Sequence, residues 1–233
     1  MDYKRCLNNM VMIKLDPEND SIKLKNGVEL YVDNTYDKEK HATVTGEIYG
    51  LPSHLSYSGE GNKGMPWLTT MDLNFGDHVI IYYMSVINAL AKESKRYILE
   101  GKDRYIFTEY QNVFAVYGDG FVKPLNGYCL IEPCDDPFIT EKKKRMEKIG
   151  LELITFSKKS NVNVSFGVVR YVSAPNREYV DESNTDDGVD VKIGDTVVLR
   201  RTTDIPLQYD LHAKIDGGKG YVRCQRRNIL AKI

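Results

Sequence analysis

Apolar residues fall along this chain in short, separated runs. The clearest occupy residues 10–15, 43–49, 79–83, 105–108 and 113–116, each rich in β-branched and aromatic side chains. That composition favours pleated, half-buried strands. Short strands broken by turn residues predict an all-β fold, a small barrel or sandwich. Gly76-Asp77 and Gly194-Asp195 stand directly before two of the most apolar runs. Glycine permits positive φ there and the aspartate bonds nearby backbone N–H groups, so both pairs predict tight turns. Asp216-Gly217-Gly218-Lys219-Gly220 predicts a hairpin turn. Helical patterning is confined to 86–93 and 141–148, and the second is so charged that a solvated loop fits equally well.

The same pattern occurs twice. Residues 7–14 line up with 125–132 at an offset of 118, and Gly27-Val28-Glu29-Leu30 with Gly150-Leu151-Glu152-Leu153 at 123. Residues 45–49 match 166–170 at 121, and Phe75-Gly76-Asp77 matches Ile193-Gly194-Asp195 at 118. Tyr105-Ile106 and Asn112-Val113-Phe114-Ala115 match Tyr221-Val222 and Asn228-Ile229-Leu230-Ala231 at 116. The order is kept and the offset drifts by only a few residues, which is the signature of an internal repeat. The drift places length changes in surface connections, where they are tolerated. Two domains follow, over 1–118 and 121–233, joined at the flexible Gly118-Asp119-Gly120.

Composition narrows the function. Lys+Arg 32 against Asp+Glu 33 leaves a net charge of −1, without the basic excess of a duplex-binding protein, so no nucleic-acid partner is expected. No apolar run approaches the roughly 20 residues of a membrane span, and Met1-Asp2-Tyr3-Lys4-Arg5 leads into no signal-peptide apolar region. Cys6, Cys129, Cys134 and Cys224 are too scattered for a disulfide scaffold. A reduced, soluble, cytoplasmic protein is expected. Cys129 and Cys134 have no nearby Cys or His to complete a zinc site, and no metal or cofactor is expected. Dinucleotide fingerprint, phosphate loop and nucleophile elbow are all missing, so the chain does not read as an enzyme.

The ordered blocks resemble the GroES-type co-chaperonins. Val122-Lys123-Pro124-Leu125 runs into a first strand. The Gly-hydrophobic-x-Leu segments follow, at Gly27 to Leu30 and Gly150 to Leu153. Next come strands containing Gly46 and Gly167, then the Gly-Asp-x-Val strands and a closing Asn228-Ile229-Leu230-Ala231. The resemblance covers nearly the whole chain twice, and the second copy matches better. It implies two tandem GroES-like irregular antiparallel β-barrels that pack into a homo-oligomeric ring capping a GroEL-type chaperonin. The chaperonin would bind the ATP.

It also implies mobile loops at 16–36 and 135–159 that fold against the chaperonin. Their contact segments would be Gly27, Val28, Glu29 and Leu30, and Gly150, Leu151, Glu152, Leu153 and Ile154. A loop that orders on binding makes a weak, reversible contact, and several loops on one ring recover affinity through avidity. Glu29 and Glu152 depart from the family's wholly hydrophobic tripeptide. A buried charge there would be costly without a partner, unless strand alternation turns it away. Fused double copies are known in the family, but a sevenfold partner is not matched evenly by pairs.

Other readings stand beside these. Val28, Leu30, Leu151 and Leu153 read equally as core strand residues. Lys142-Lys143-Lys144-Arg145 reads as a solvated charge run. Arg223, Arg226 and Arg227 read as a solvated strand face or subunit contacts, and Trp67 as packing. His41, His54, His78 and His212 fall at unmatched positions of the two copies and suggest no shared site. The competing function is a structural or assembly protein, such as a viral-particle or ring component, that reuses the barrel without binding a chaperonin.

Overall fold

The computed structural model describes residues 4–17, 21–23, 29–31, 44–57, 64–65, 67–91, 93–149, 166–174, 177–178, 191–199, 205–206 and 221–233. Strands β1 (Lys4–Cys6), β2 (Met10–Leu15), β3 (Ser21–Lys23), β4 (Glu29–Tyr31), β5 (Thr45–Pro52), β6 (Trp67–Leu68) and β7 (His78–Ile81) precede helix α1 (Tyr83–Leu90). Strands β8 (Tyr97–Glu100), β9 (Asp103–Glu109), β10 (Val113–Gly118), β11 (Phe121–Pro124) and β12 (Tyr128–Pro133) lead to helix α2 (Pro137–Lys148). Then come β13 (Phe166–Val172), β14 (Arg177–Glu178), β15 (Thr196–Leu199), β16 (Ile205–Pro206), β17 (Val222–Gln225) and β18 (Ile229–Lys232). The fold is all-β in character, and its strands pair antiparallel except β1 against β5.

Two compact units divide the chain. One is Met1–Asn126 with Asn176–Thr185, the other Gly127–Pro175 with Asp186–Ile233. In the first, strands run β11-β10-β7-β5-β2-β9-β8, with β1 beside β5. In the second they run β16-β17-β12-β13-β15-β18. Both paths are open among the described residues. Two small pairs stand apart: β3 with β4, and β6 with β14.

The central position of β2 explains why apolar residues fill consecutive positions from Met10 to Ile13 before Lys14. Val11, Ile13 and Leu15 join the main core with Ile48, Ile106 and Tyr110, while Met12 packs with Cys6 and Tyr105. With both faces covered, polar alternation is lost. The run at 79–83 behaves differently: the strand stops at Ile81 and the chain turns into α1. There the Ile81 N–H donates to Val44 O at 2.8 Å and the Tyr82 N–H to Asn112 O at 2.9 Å. Helix α1 begins three residues before the predicted 86 and buries Val86 and Ala89 in the main core. Trp67 is buried in the same core. Asp119-Gly120 forms the two-residue loop of the β10–β11 hairpin, with Gly120 at φ +77°. The predicted turn at 216–220 lies outside the described residues.

The offsets read from the sequence recur in the strand register. Met12 pairs with Gly50 and Ile13 with Ile48 across a bulge; Leu130 pairs with Tyr171 and Ile131 with Val169 across another. Ile13 faces Ile106 as Ile131 faces Val222. Val113 faces Ile81 and Ala115 faces Ile80, as Ile229 faces Leu199 and Ala231 faces Val198. The turns match as well. Asn8 and Asn9 hold φ of +53° and +59°, and Asn126 and Gly127 hold +55° and +72°. Two successive left-handed residues make the tight turn whose twist suits a following strand, and Asn and Gly tolerate it best. Gly76 and Gly194 take φ of +82° and +93°. Each following aspartate accepts a backbone N–H at 2.8 Å, from Asn74 and from Lys192.

Candidate functional site

Both candidate loops leave their sheets at equivalent points. Asp16 N–H donates to Thr45 O at 3.1 Å, and Cys134 N–H donates to Phe166 O at 3.1 Å. The first root is reinforced by side chains: Thr45 Oγ1 donates to Asp16 Oδ2 at 2.6 Å, and the Tyr117 hydroxyl lies 3.5 Å from the same oxygen.

Beyond the roots the loops differ. The first contains the β3–β4 hairpin, where Leu30 lies opposite Ile22 and Glu29 opposite Lys23. Gly27 and Val28 lie outside the described residues. The second rises into α2, a helix at 137–148 and so longer than the 141–148 segment the sequence suggested. Asp136 accepts from Phe138 N at 2.9 Å and Ile139 N at 3.4 Å, capping N–H groups that have no partner within the helix. Pro137 opens the first turn, where its missing donor costs nothing. No residue of α2 is buried, and Phe138 and Ile149 are exposed. The run Lys142 to Arg145 is solvated as read, with Arg145 paired to Glu141 at 2.5 Å. Gly150, Leu151, Glu152, Leu153 and Ile154 lie outside the described residues.

The sheet edges also differ. In the first unit β10 is flanked by β7 and by β11. Its counterpart β18 pairs with β15 and ends the path among the described residues.

The arginines depart from expectation. Arg223 and Arg226 are buried, not solvated, while Arg227 is exposed. Arg226 donates to Ser173 O at 2.8 Å, and the Arg223 guanidinium lies 5.7 Å from the Tyr128 ring centroid. A planar guanidinium can satisfy a buried carbonyl and stack on an aromatic face together. Sequence reading also missed Tyr110. Its hydroxyl donates to Thr70 O at 2.8 Å and accepts from Asp72 N at 3.1 Å, tying down the connection after β6. Burial pushes its pKa up to about 12. The only available signal was the alignment of Tyr110 with Arg226 at offset 116, two unlike residues at one position.

Cys134, at the second loop's root, has its pKa raised by burial and by Asp135, Asp136 and Glu132 nearby, the opposite of a reactive thiolate's surroundings. Among the described residues no group of three or more His, Cys, Asp and Glu is placed to hold a metal. None of the described helices is long and apolar enough to cross a membrane. No protein-family model matches the chain, and no curated protein matches it either.

Proposed function

We propose that this chain is a GroES-type co-chaperonin, two tandem irregular barrels that cap a GroEL-type chaperonin and assist ATP-dependent folding in the cytoplasm. The observation that carries the reading is the common root of the two loops, closed by equivalent hydrogen bonds in two sheets of matching register. One chain thereby presents two binding segments at corresponding places, the arrangement that avidity requires. The partner holds and hydrolyses the ATP, and no covalent chemistry is asked of this chain.

A ring is supported by the strand edges. Strand β11 adds to β10, and β1 is its counterpart at offset 118. If β1 of one copy adds to β18 of the next, tandem pairs close head to tail. Strand β1 would give up only a three-residue pairing with β5.

The test is co-elution with a GroEL-type chaperonin from the same host on gel filtration, with and without ATP. Nucleotide-dependent co-elution is expected, and it is expected to vanish in the Leu30→Asp/Leu153→Asp variant while the oligomer persists. A protein that runs alone overturns the reading, and normal binding by the variant overturns the loop assignment.

A second reading, a structural or assembly protein reusing the fold, is favoured by the regular structure within the loops, the β3–β4 hairpin and capped α2. Limited proteolysis separates the two. A cap is expected to be cut first within the loops in the free protein, and a structural component is expected to resist there.

A further inference from the structure

Two of the four cysteines are brought together by the second sheet. Cys129 on β12 and Cys224 on β17 are direct cross-strand partners. Both are buried in the core of that unit, so their side chains leave the sheet on one face. Neither is in a disulfide. Two steps along the same ladder, Arg226 N–H donates to Gly127 O at 2.9 Å. Alternation therefore makes Cys129 and Cys224 a hydrogen-bonded pair, with α-carbons about 5.5 Å apart. Disulfides span about 4.4–6.8 Å between α-carbons. The β-carbons of such a pair stand about 5.5 Å apart, beyond the roughly 3.5–4.5 Å of a relaxed bridge. The two strands must draw together, so a bond formed here carries strain and is readily reduced.

We propose that Cys129 and Cys224 form a reversible cross-strand disulfide, a redox staple confined to the second unit. The oxidant is a low-molecular-weight disulfide. One cysteine thiolate attacks its sulfur, releasing one small thiol and leaving a mixed disulfide on the protein. The second cysteine attacks that mixed disulfide, releasing the other small thiol. Two protein thiols lose two protons and two electrons, and the oxidant's S–S bond is reduced. Exchange waits on local opening because both sulfurs are buried. The opening is placed at β17, whose far edge pairs, among the described residues, with β16 alone. The staple ties the first strand of the second sheet to one nearly a hundred residues later, and a crosslink over so long a loop restricts the unfolded chain most. The first unit has Val11 and Thr108 at the corresponding pair, so it cannot be stapled.

The experiment incubates the full-length protein with oxidised glutathione, blocks remaining thiols, and maps crosslinks by mass spectrometry of unreduced digests. A parallel sample is refolded from denaturant in a glutathione redox buffer, which bypasses burial. Two thiols are expected to disappear, with Cys129 linked to Cys224. The unfolding transition of the second unit is expected to rise by about 5 °C or more and to return on adding dithiothreitol. The Cys129→Val/Cys224→Thr protein, which copies the first unit, is expected to show neither change. Four titratable thiols in both preparations, or a linkage through Cys6 or Cys134, overturns the proposal.

Discussion

Tyr110 in the first unit and Arg226 in the second occupy one structural position with opposite chemistry. Each opens a 3-10 turn, Tyr110–Asn112 and Arg226–Asn228. Each donates its N–H to the preceding tight turn, at 2.8 Å to Asn9 O and 2.9 Å to Gly127 O. The tyrosine reaches Thr70 and Asp72, and the arginine reaches Ser173. Similar divergence separates Phe107, packed on an apolar cluster, from Arg223, stacked near Tyr128. Backbone commitments are therefore shared: the left-handed turns, the bulges and the Gly-Asp corners. What fills the space between them is not. A sheet of this kind is specified by where the chain must turn and where it must stay thin, and it accepts different side chains within that frame.

The two units are expected to differ most at the thin points. A β-carbon on Gly46 would lie 2.4 Å from Lys14 O and 2.7 Å from Ile13 Cγ2. On Gly167 the 2.4 Å contact is Ile131 Cγ2, and the carbonyl oxygen of Glu132 is 2.9 Å away. A side-chain methyl yields more easily than a carbonyl. Gly46→Ala is therefore expected to cost about 3 kcal/mol and Gly167→Ala about 2 kcal/mol, read from urea midpoints of the two transitions. Equal costs would show that the two sheets are constrained alike.

Next in size is Tyr110→Phe, which leaves Asp72 N–H and Thr70 O without the hydroxyl and is expected to destabilise by about 1–2 kcal/mol. The same group imposes an alkaline limit. The folded state holds the phenolic proton up to a pKa of about 12, against the ordinary 10.0. Its contribution is therefore complete below pH 10 and is lost as pH rises toward 12. Thermal melts on either side of that window should show the wild type losing stability that Tyr110→Phe has already lost. An unchanged pH profile in the variant would remove Tyr110 from the account.

The smallest effect belongs to Asp195, whose carboxyl is drawn below its usual range by the Lys192 N–H and then by Lys232. Its stabilisation is present above the ordinary carboxylate pKa and is lost as pH falls through the depressed one. Asp195→Asn is expected to lower the melting temperature slightly at neutral pH and not at all in strong acid.

The strands were the most legible feature. Residues 10–15 read as β2 without error because a six-residue segment, apolar at every position but Lys14, leaves one strand and no helix long enough to hold it. The Gly-Asp turns were legible because only glycine takes such φ values cheaply. The end of β7 was not, since Tyr82 and Tyr83 suit a strand by propensity and only the bonds to Val44 and Asn112 divert the chain. The buried arginines were hidden for a similar reason. Charge reads as exposure until a particular carbonyl and a particular ring are brought beside it. Of the candidate loop residues, Glu29 and Leu30 fall on β4. The helical pattern at 141–148 was legible, but the charge of the segment masked the Asp136-Pro137 start signal and with it the first turn from Pro137.

The pairing of β6 with β14 sets an order of events during synthesis. Trp67 and Leu68 pair with Glu178 and Arg177, which the ribosome adds about 110 residues later. At about 5–20 residues per second, the first unit waits roughly 5–20 s for this closing strand. For that interval the β6 edge stands open while the second unit's early strands are emerging. A nascent chain stopped just after Asn126 therefore displays a template for strand addition that the finished protein covers with its own later residues.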